Sequence, residues 1–418
     1  MYAFSTALSA LRAHEEAVDV VGNNLANLNT SGYKSSGVAF SDLVSQTIGA
    51  GSTQIGMGVH HPATVREFSQ GPVQSSGRLL DAAIQGSGFF VSRDSNGKTV
   101  YSRVGSFKLA ADGTLVTQSG DAALGWKAVD GVVDVSKTAG ELTVSVGSLL
   151  PPKTTANIAM DLNLNSKAAA DATSSFPAPI EVVDSLGQTH VLTVTFTKDD
   201  LGSWTYAVSI PASELDDEGK VEVGDPAGAT GTLTFDENGK LDTSAFTGPI
   251  SEKISITGLK NGAADMTIDW SLVDASGVPT ITQLVADSSV SGISQDGYQA
   301  SELTQVSIAD GGVIVAEYSN GRQQVVGALA IANIRNPETL LAIGGNSYQA
   351  TAATADPAVG TSGTGGRGEI VGGALEGSNV DMAREFTNLI VYQRGYQANA
   401  KVISAADEIS QQTINLIR

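Results

Sequence analysis

The sequence predicts a mainly β chain that begins and ends in long α-helices. Three observations carry this reading: a heptad-like apolar period confined to the two termini, hairpin signals that recur between them, and 47 glycines among 418 residues. That glycine share exceeds the usual ~7% and implies many tight turns. A hydrophobic content of 41% is ample for a sizeable core, and the length suggests two or three domains.

Each element follows from the local pattern. Between Phe4 and Leu28 one heptad position holds Phe4, Leu11, Val18 and Leu25, and the other holds Ala7, His14, Val21 and Leu28. This helix closes in "NNLANLNTSGYKSS", where Asn23, Asn24 and Asn27 occupy the last helical turns and Asn29 with Gly32 suits a turn out of the helix. The period then switches to two. Asn96-Gly97, Asp112-Gly113, Asn238-Gly239 and Asn320-Gly321 each sit beside apolar runs as hairpin turns, and "HVLTVTFTKDDLGSWTYAVSI" alternates as antiparallel strands with one buried face do. The prolines of "SLLPPKTTANI" and the small polar run "ADSSVSGISQDGYQAS" mark domain boundaries near residues 149 and 295. "ATAATADPAVGTSGTGGRG" reads as a surface loop. After Gly372-Gly373 a second long helix is expected, with Ser378 or Asn379 as N-cap and Asp381 and Glu385 near its positive end. Its stripe is Met382, Leu389, Tyr396, Ile403 and Ile417, interrupted by Ser410, with Phe386, Ala400 and Ile414 alongside.

Composition excludes several function classes. The net charge of −20, from 24 basic and 44 acidic residues, opposes binding to nucleic acid and to anionic membranes. No run reaches the roughly 20 apolar residues of a membrane span, and the start lacks the basic and apolar regions of a secretory signal. With no cysteine there is no disulfide, thiolate nucleophile or cysteine-bound metal. Catalytic, metal and cofactor sites are all expected to be absent. "GTGGRG" matches a dinucleotide-binding glycine pattern but lacks the preceding strand and following helix. Gly97-Lys98-Thr99 imitates the end of a phosphate loop, yet Ser92 stands where its first glycine belongs. His60 and His61 have no second ligand pair at metal spacing, and His14 and His190 are isolated, so surface or packing roles are expected. "ELDDEGKVEVGD" lacks the order of a calcium loop and reads as a solvated acidic turn.

The terminal helices therefore hold the functional question. The entropy of ordering them is of the same order as what their apolar anchors and helical hydrogen bonds return, which leaves them marginal in a lone molecule. Amides in a seam lower stability but fix register. Asn23, Asn24 and Asn27, and Asn388, Gln393, Gln397 and Asn399 on the second helix, fit that use across a subunit contact. A coiled pair within one molecule, ended by ordinary turn residues, fits the spacing equally well.

Longer stretches resemble a known family. "ALSALRAHEEAVDVVGNNLANLNTSGYKSSGVAFSDL" resembles the N-terminal signature of bacterial flagellar rod, hook and hook-associated axial proteins, and "LEGSNVDMAREFTNLIVYQRGYQANAKVISAADEI" resembles their C-terminal signature. "GSGFFVSRDSNGKTVYSRVGSFKLAADGTLV" is similar to a stretch shared by rod and hook members. "LLPPKTTANIAMDLNLNS", "IEVVDSLGQTHVLTVTFTK" and "VVGALAIANIRNP" resemble the hook members. The likeness is weakest from about residue 200 to 290, a stretch that varies within the family.

The resemblance implies a discontinuous multi-domain axial protein whose N- and C-terminal helices pair as a coiled-coil core, with two β-rich outer domains. The helical core would be residues 1–33 with 374–418, the inner β domain 34–148 with 296–373, and the outer β domain 149–295. It implies a structural subunit, not an enzyme, that polymerises into the curved hook, a flexible universal joint carrying torque from rod to filament. A distal rod subunit of the basal body is the alternative, and it should lack the outer β domain. Implied partners are further copies of the chain, the flagellar export apparatus, the hook cap, the distal rod and the hook–filament junction proteins. The implied location is outside the cell, after export without a cleaved signal and without membrane insertion. The polymer interface and core helices would use Phe4, Leu8, Leu11, Val18, Val21, Asn23, Asn24, Leu25, Asn27, Leu28, Met382, Phe386, Leu389, Gln393, Tyr396, Asn399 and Ile403, with Asn29 and Gly32 turning the chain.

Overall fold

The computed structural model describes residues 2–43, 46–47, 54–129, 131–145, 147, 149–170, 174–200, 202–224, 230–245 and 250–416. Ile417 of the expected C-terminal stripe and Ser148 at the expected boundary lie outside them. The chain divides into two compact units, one of residues 1–146, 304–317 and 322–418, the other of 147–303 with 318–321.

The first unit carries both long helices, α1 (Tyr2–Ala26) and α2 (Met382–Leu416). Its main antiparallel sheet runs through Gln323–Leu329, Ala122–Val129, Phe89–Arg93, Thr99–Ser102, Ser347–Gln349 and Leu341–Gly344. Phe89, Val91, Tyr101, Trp126, Ala332 and Tyr348 form one buried cluster on it, and the Trp126 indole donates to the Lys137 carbonyl at 2.7 Å. Three short antiparallel pairs then lead the chain ends toward the helices. Ala82–Gln85 pairs with Glu369–Gly372, Val73–Ser75 with Ala374–Glu376, and Ser36–Ala39 with Ala63–Arg66. The "GTGGRG" loop is closed on itself by Arg367, which donates to the Thr361 carbonyl and to the Thr364 hydroxyl.

The second unit is a sandwich. One sheet holds Leu215–Val223, Ser251–Leu259, Met266–Ser271, Asn157–Asn165 and Ile281–Leu284, with Ser289–Gln295 also on Asn157–Asn165. The other holds Phe176–Val183, Thr189–Asp200, Ser203–Ser209 and Thr230–Thr234. Alternate residues of each point inward, as period-two patterning requires. Trp270 of the first sheet meets Tyr206 of the second edge-on at 5.2 Å, and both are fully buried. At the base of this unit the two chain crossings pair with each other: Leu150 bonds to Ser301 and Lys153 to Tyr298, and Lys153 Nζ lies 2.9 Å from Asp296 Oδ2.

One turn device recurs in both units. In "DSNGK", "DSLGQ", "DENGK" and "DASGV" the carboxylate of Asp94, Asp184, Asp236 or Asp274 accepts the backbone N–H groups two and four residues on. The glycine in each takes a positive φ of 75–86°.

Candidate assembly interface

The helices α1 and α2 lie antiparallel, because Asn24 near the end of α1 meets Glu385 at the start of α2 while His14 meets Tyr392 and Gly395 further along. The buried face of α1 is Ala7, Ala13, Ala17, Val21 and Asn24. Ala7 and Val21 of the second expected heptad position lie in it, and His14 meets α2, whereas the first expected position does not. Phe4 is exposed, and Leu11, Val18 and Leu25 flank the contact half-buried, as do Leu8 and Leu28. Large side chains suggested the stripe, whereas the helices approach on small ones, which let the backbones come close. On α2 Glu385 is buried and Asn388, Leu389, Tyr392, Gly395, Asn399 and Ile403 are half-buried, while Met382, Phe386, Gln393 and Tyr396 are exposed.

His14, an odd residue for an apolar position, has a physical account here. Its ring packs on Phe40 at 5.5 Å and on Tyr392 at 6.2 Å, directly over Gly395. A Cβ on Gly395 would stand 2.6 Å from His14 Cε1, so glycine is the residue that admits the ring. Burial pushes the imidazole pKa down, and Nδ1 is buried without a hydrogen-bond partner among the described residues.

The asparagines act within the chain. Asn24 is buried and uses its whole amide. Nδ2 donates to the Ser36 carbonyl at 2.8 Å and to Glu385 Oε1 at 3.2 Å, while Oδ1 accepts from the Ser36 N–H at 3.0 Å and the Tyr33 hydroxyl at 3.2 Å. Asn23 donates to the Tyr33 hydroxyl, and the Asn27 side chain donates back to the Asn23 carbonyl, which also accepts the Asn27 N–H. All four bonding positions of Asn24 are filled inside one molecule, as the alternative of a coiled pair within one chain expects. Asn399 likewise donates to the Gly395 carbonyl of its own helix. Asn29 is exposed. Gly32 turns the chain at φ 66°, donates to the Glu376 carbonyl at 2.8 Å, and lies so close to Val104 that a Cβ would sit 2.8 Å from its side chain.

Beneath the helix pair lies a polar cluster that sequence reasoning missed. Lys34, Arg103 and Glu376 are buried together, with Lys34 Nζ 2.7 Å from Glu376 Oε1 and Arg103 Nη1 3.2 Å from Glu376 Oε2. Desolvation lowers the pKa of both basic groups, and the Glu376 carboxylate partly offsets it. Asn379 bridges the same strands, accepting from the Ser35 N–H at 2.7 Å and donating to the Glu67 carbonyl at 2.8 Å. It is not the N-cap, nor is Ser378. Asp381 caps α2, its carboxylate accepting from the N–H groups of Ala383 and Arg384 at 2.8 and 3.1 Å. The sequence signal was present as a lysine and a glutamate amid small residues, "SGYKSS" and "GGALEGSN", but a lone charge usually marks a solvated face.

Much of α2 is left uncovered. Met382, Phe386, Ile390 and Val391 are about half exposed, and Ile409 and Ile414 about two-thirds. Among the described residues no set of three or more histidines, aspartates or glutamates could hold a metal, and no helix is long and apolar enough to cross a membrane. His61 stands 3.6 Å from Glu16 at the surface. His190 is buried between Asp184 at 3.0 Å and Glu214 at 2.6 Å, inside the sandwich unit.

Two chain ends joined as a helix pair on a β body, with several apolar side chains of α2 open to solvent, fit the class of structural subunits that associate. The comparisons name the family within that class. Residues 4–34 match the family described as "Flagella basal body rod protein", and residues 83–161 match "Flagellar hook protein FlgE/F/G D1 domain". Residues 152–298 match "Flagellar basal body protein FlaE D2 domain", and 371–416 match "Flagellar basal body rod FlgEFG protein C-terminal". The chain is 34% identical to the flagellar hook protein FlgE of Escherichia coli K12, over 99% of this chain and 100% of that one. It is 32% identical to FlgE of Treponema pallidum over the full length of both. The crystal structure of Helicobacter pylori flagellar hook protein FlgE2 shares the fold at TM-score 0.50 and 14% identity, covering 71% of this chain and 99% of that chain. The chain belongs to the flagellar hook protein FlgE family and is a hook subunit; the distal rod alternative is not favoured, since curated relatives matching end to end are hook proteins.

Proposed function

We propose that the terminal helices pair as a coiled coil that forms the core of the hook tube, with the exposed face of α2 as its contact with neighbouring copies. The uncovered side chains of Met382, Phe386 and Ile390, spaced i, i+4 and i+8 along one side of α2, carry this reading, because apolar side chains exposed together on one helix face mark an association surface; Val391, Ile409 and Ile414 add exposed apolar area elsewhere on the helix. Phe4 and Tyr396 join that surface, and Leu8, Leu11, Val18, Leu25, Leu28, Leu389 and Ile403 become covered from the flank on assembly. Residues 34–148 with 296–373 form the inner β domain, and 149–295 the outer one. In this reading the subunit has no catalytic role. It leaves the cell through the flagellar export apparatus without a cleaved signal, adds beneath the hook cap, and meets distal rod and hook–filament junction proteins at the tube's ends. The ribbon of the two chain crossings, clipped by Lys153 and Asp296, is the compliant joint that lets a curved tube turn as a universal joint.

Replacing Phe386 and Ile390 by aspartate in the full chain tests this. Both side chains are outside the intramolecular contact, so the monomer should keep its helical signal and melting temperature while tube formation and motility are lost. Tubes of normal shape from the double variant would overturn the proposal.

A further inference from the structure

The cluster of Lys34, Arg103 and Glu376 is more than a buried ion pair. The three side chains are 0%, 5% and 0% exposed, and they come from three places: just after α1, the middle of the β body, and just before α2. Lys34 and Glu376 are 342 residues apart in sequence. Three donors converge on one carboxylate. Lys34 Nζ and the Gly71 N–H reach Oε1 at 2.7 and 2.9 Å, and Arg103 Nη1 reaches Oε2 at 3.2 Å. The cations are themselves tied to the backbone, Lys34 to the Ser69 carbonyl at 2.6 Å and Arg103 to the Gly86 carbonyl at 2.8 Å, with its guanidinium 5.4 Å from the centre of the Phe89 ring. Gly71 must lack a side chain for this, since a Cβ there would lie 2.2 Å from the Gly377 carbonyl.

Stability alone is a poor reason for such a cluster. Well-packed apolar residues commonly replace buried ions at no loss, because desolvation offsets the attraction. Charged hydrogen bonds differ from apolar contacts in being directional, so they admit one arrangement of the segments that make them. We infer that Lys34, Arg103 and Glu376 are positioning residues that set the direction in which the helix pair leaves the β body, and so the shape of the polymer. A lever arm magnifies the effect: α2 is 35 residues long, so at a rise of ~1.5 Å per residue a small tilt at its root moves the far end by several ångströms. This rests on the reading of the helices as polymer core, and the melting of the monomer reports the cluster independently of that reading.

The test compares three full-length variants. Lys34→Met leaves Glu376 short of a partner, and the monomer should melt about 10 °C lower. The triple change Lys34→Met, Arg103→Met and Glu376→Leu should restore the melting temperature, yet its tubes seen by electron microscopy should vary in curvature and motility should fall at least tenfold. Arg103→Lys keeps the charge but not the forked geometry, and should give a folded monomer with the same irregular tubes. Uniform tubes of parental curvature from the triple variant, or from Arg103→Lys should the triple variant not fold, would overturn the inference and leave the cluster a matter of stability only. Failure of the Phe386 and Ile390 variant to block assembly would instead strike the helical-core reading and not the monomer melting result.

Discussion

Replacing Asn24 by leucine separates the two uses an amide can have in a helical seam. Leucine has similar bulk, so the site is filled, but four hydrogen bonds go: two to Ser36, one to Glu385 and one to Tyr33. At a net ~0.5–1.5 kcal/mol each, their loss removes about 4 kcal/mol, and burying an apolar side chain returns about 1–2 kcal/mol. The net destabilisation is about 2–3 kcal/mol, a fall in Tm on the order of 5–10 °C for the helix-bearing unit. The assay is the far-ultraviolet helical signal of the monomer during heating, below the concentration at which tubes form, with hydrogen exchange of the α1 amides as a local reporter. An Asn24→Leu monomer that melts with its parent but fails to build regular tubes would refute the reasoning. The amide would then act between subunits and not within one.

Two further predictions concern other buried groups. Replacing Gly395 by alanine forces a methyl into the His14 ring and should destabilise the helix pair by about 1–3 kcal/mol, read as an earlier loss of helical signal; adding His14→Ala should recover part of that loss, whereas an unchanged melt for Gly395→Ala alone would show the ring is not confined. In the sandwich unit burial opposes charge on His190, but the hydrogen bonds and charges of Asp184 and Glu214 outweigh it, so its folded pKa is raised. The stabilisation is therefore complete below the unfolded value of ~6.5 and disappears as pH rises through the higher folded value. Denaturant titrations should show sandwich stability falling across that range in the parent and a flatter profile in His190→Gln, and parallel profiles would refute the assignment.

The fold was legible where local chemistry dictates it. Asn96-Gly97, Asp112-Gly113 and Asn320-Gly321 each join adjacent antiparallel strands, since glycine at positive φ is what such turns need. Asn238-Gly239 makes a tight turn closed by a bridge between Phe235 and Leu241. The alternation from His190 to Lys198 reappears as a buried inner face. The helix contact was less legible. Heptad counting found Ala7 and Val21, which are buried, but not Ala13 and Ala17, and it favoured Phe4, which is exposed, because close approach selects for size and not for hydropathy. Least legible was the polar cluster under the helices. Lys34 and Glu376 lie at opposite ends of the chain, and nothing in the period of either segment says that a lysine and a glutamate will share a dry site.

That division has a physical logic for a subunit that must associate. The contacts fixing the helices to their own β body are polar and buried: Asn24 has no bonding position to spare, and Glu376 accepts from three donors. Such contacts specify geometry and tolerate little else. In the proposed reading the α2 side chains that meet neighbours include exposed apolar ones, and apolar surfaces slide with small energetic change because their attraction depends on area and not on angle. In the proposed tube the root of each helix pair would be held stiffly within its own molecule while neighbouring pairs shift past one another. Curvature that travels around the tube as it turns needs both properties at once. A polar seam between neighbours and an apolar root within each molecule would reverse them, giving stiff lateral contacts on loosely aimed helices.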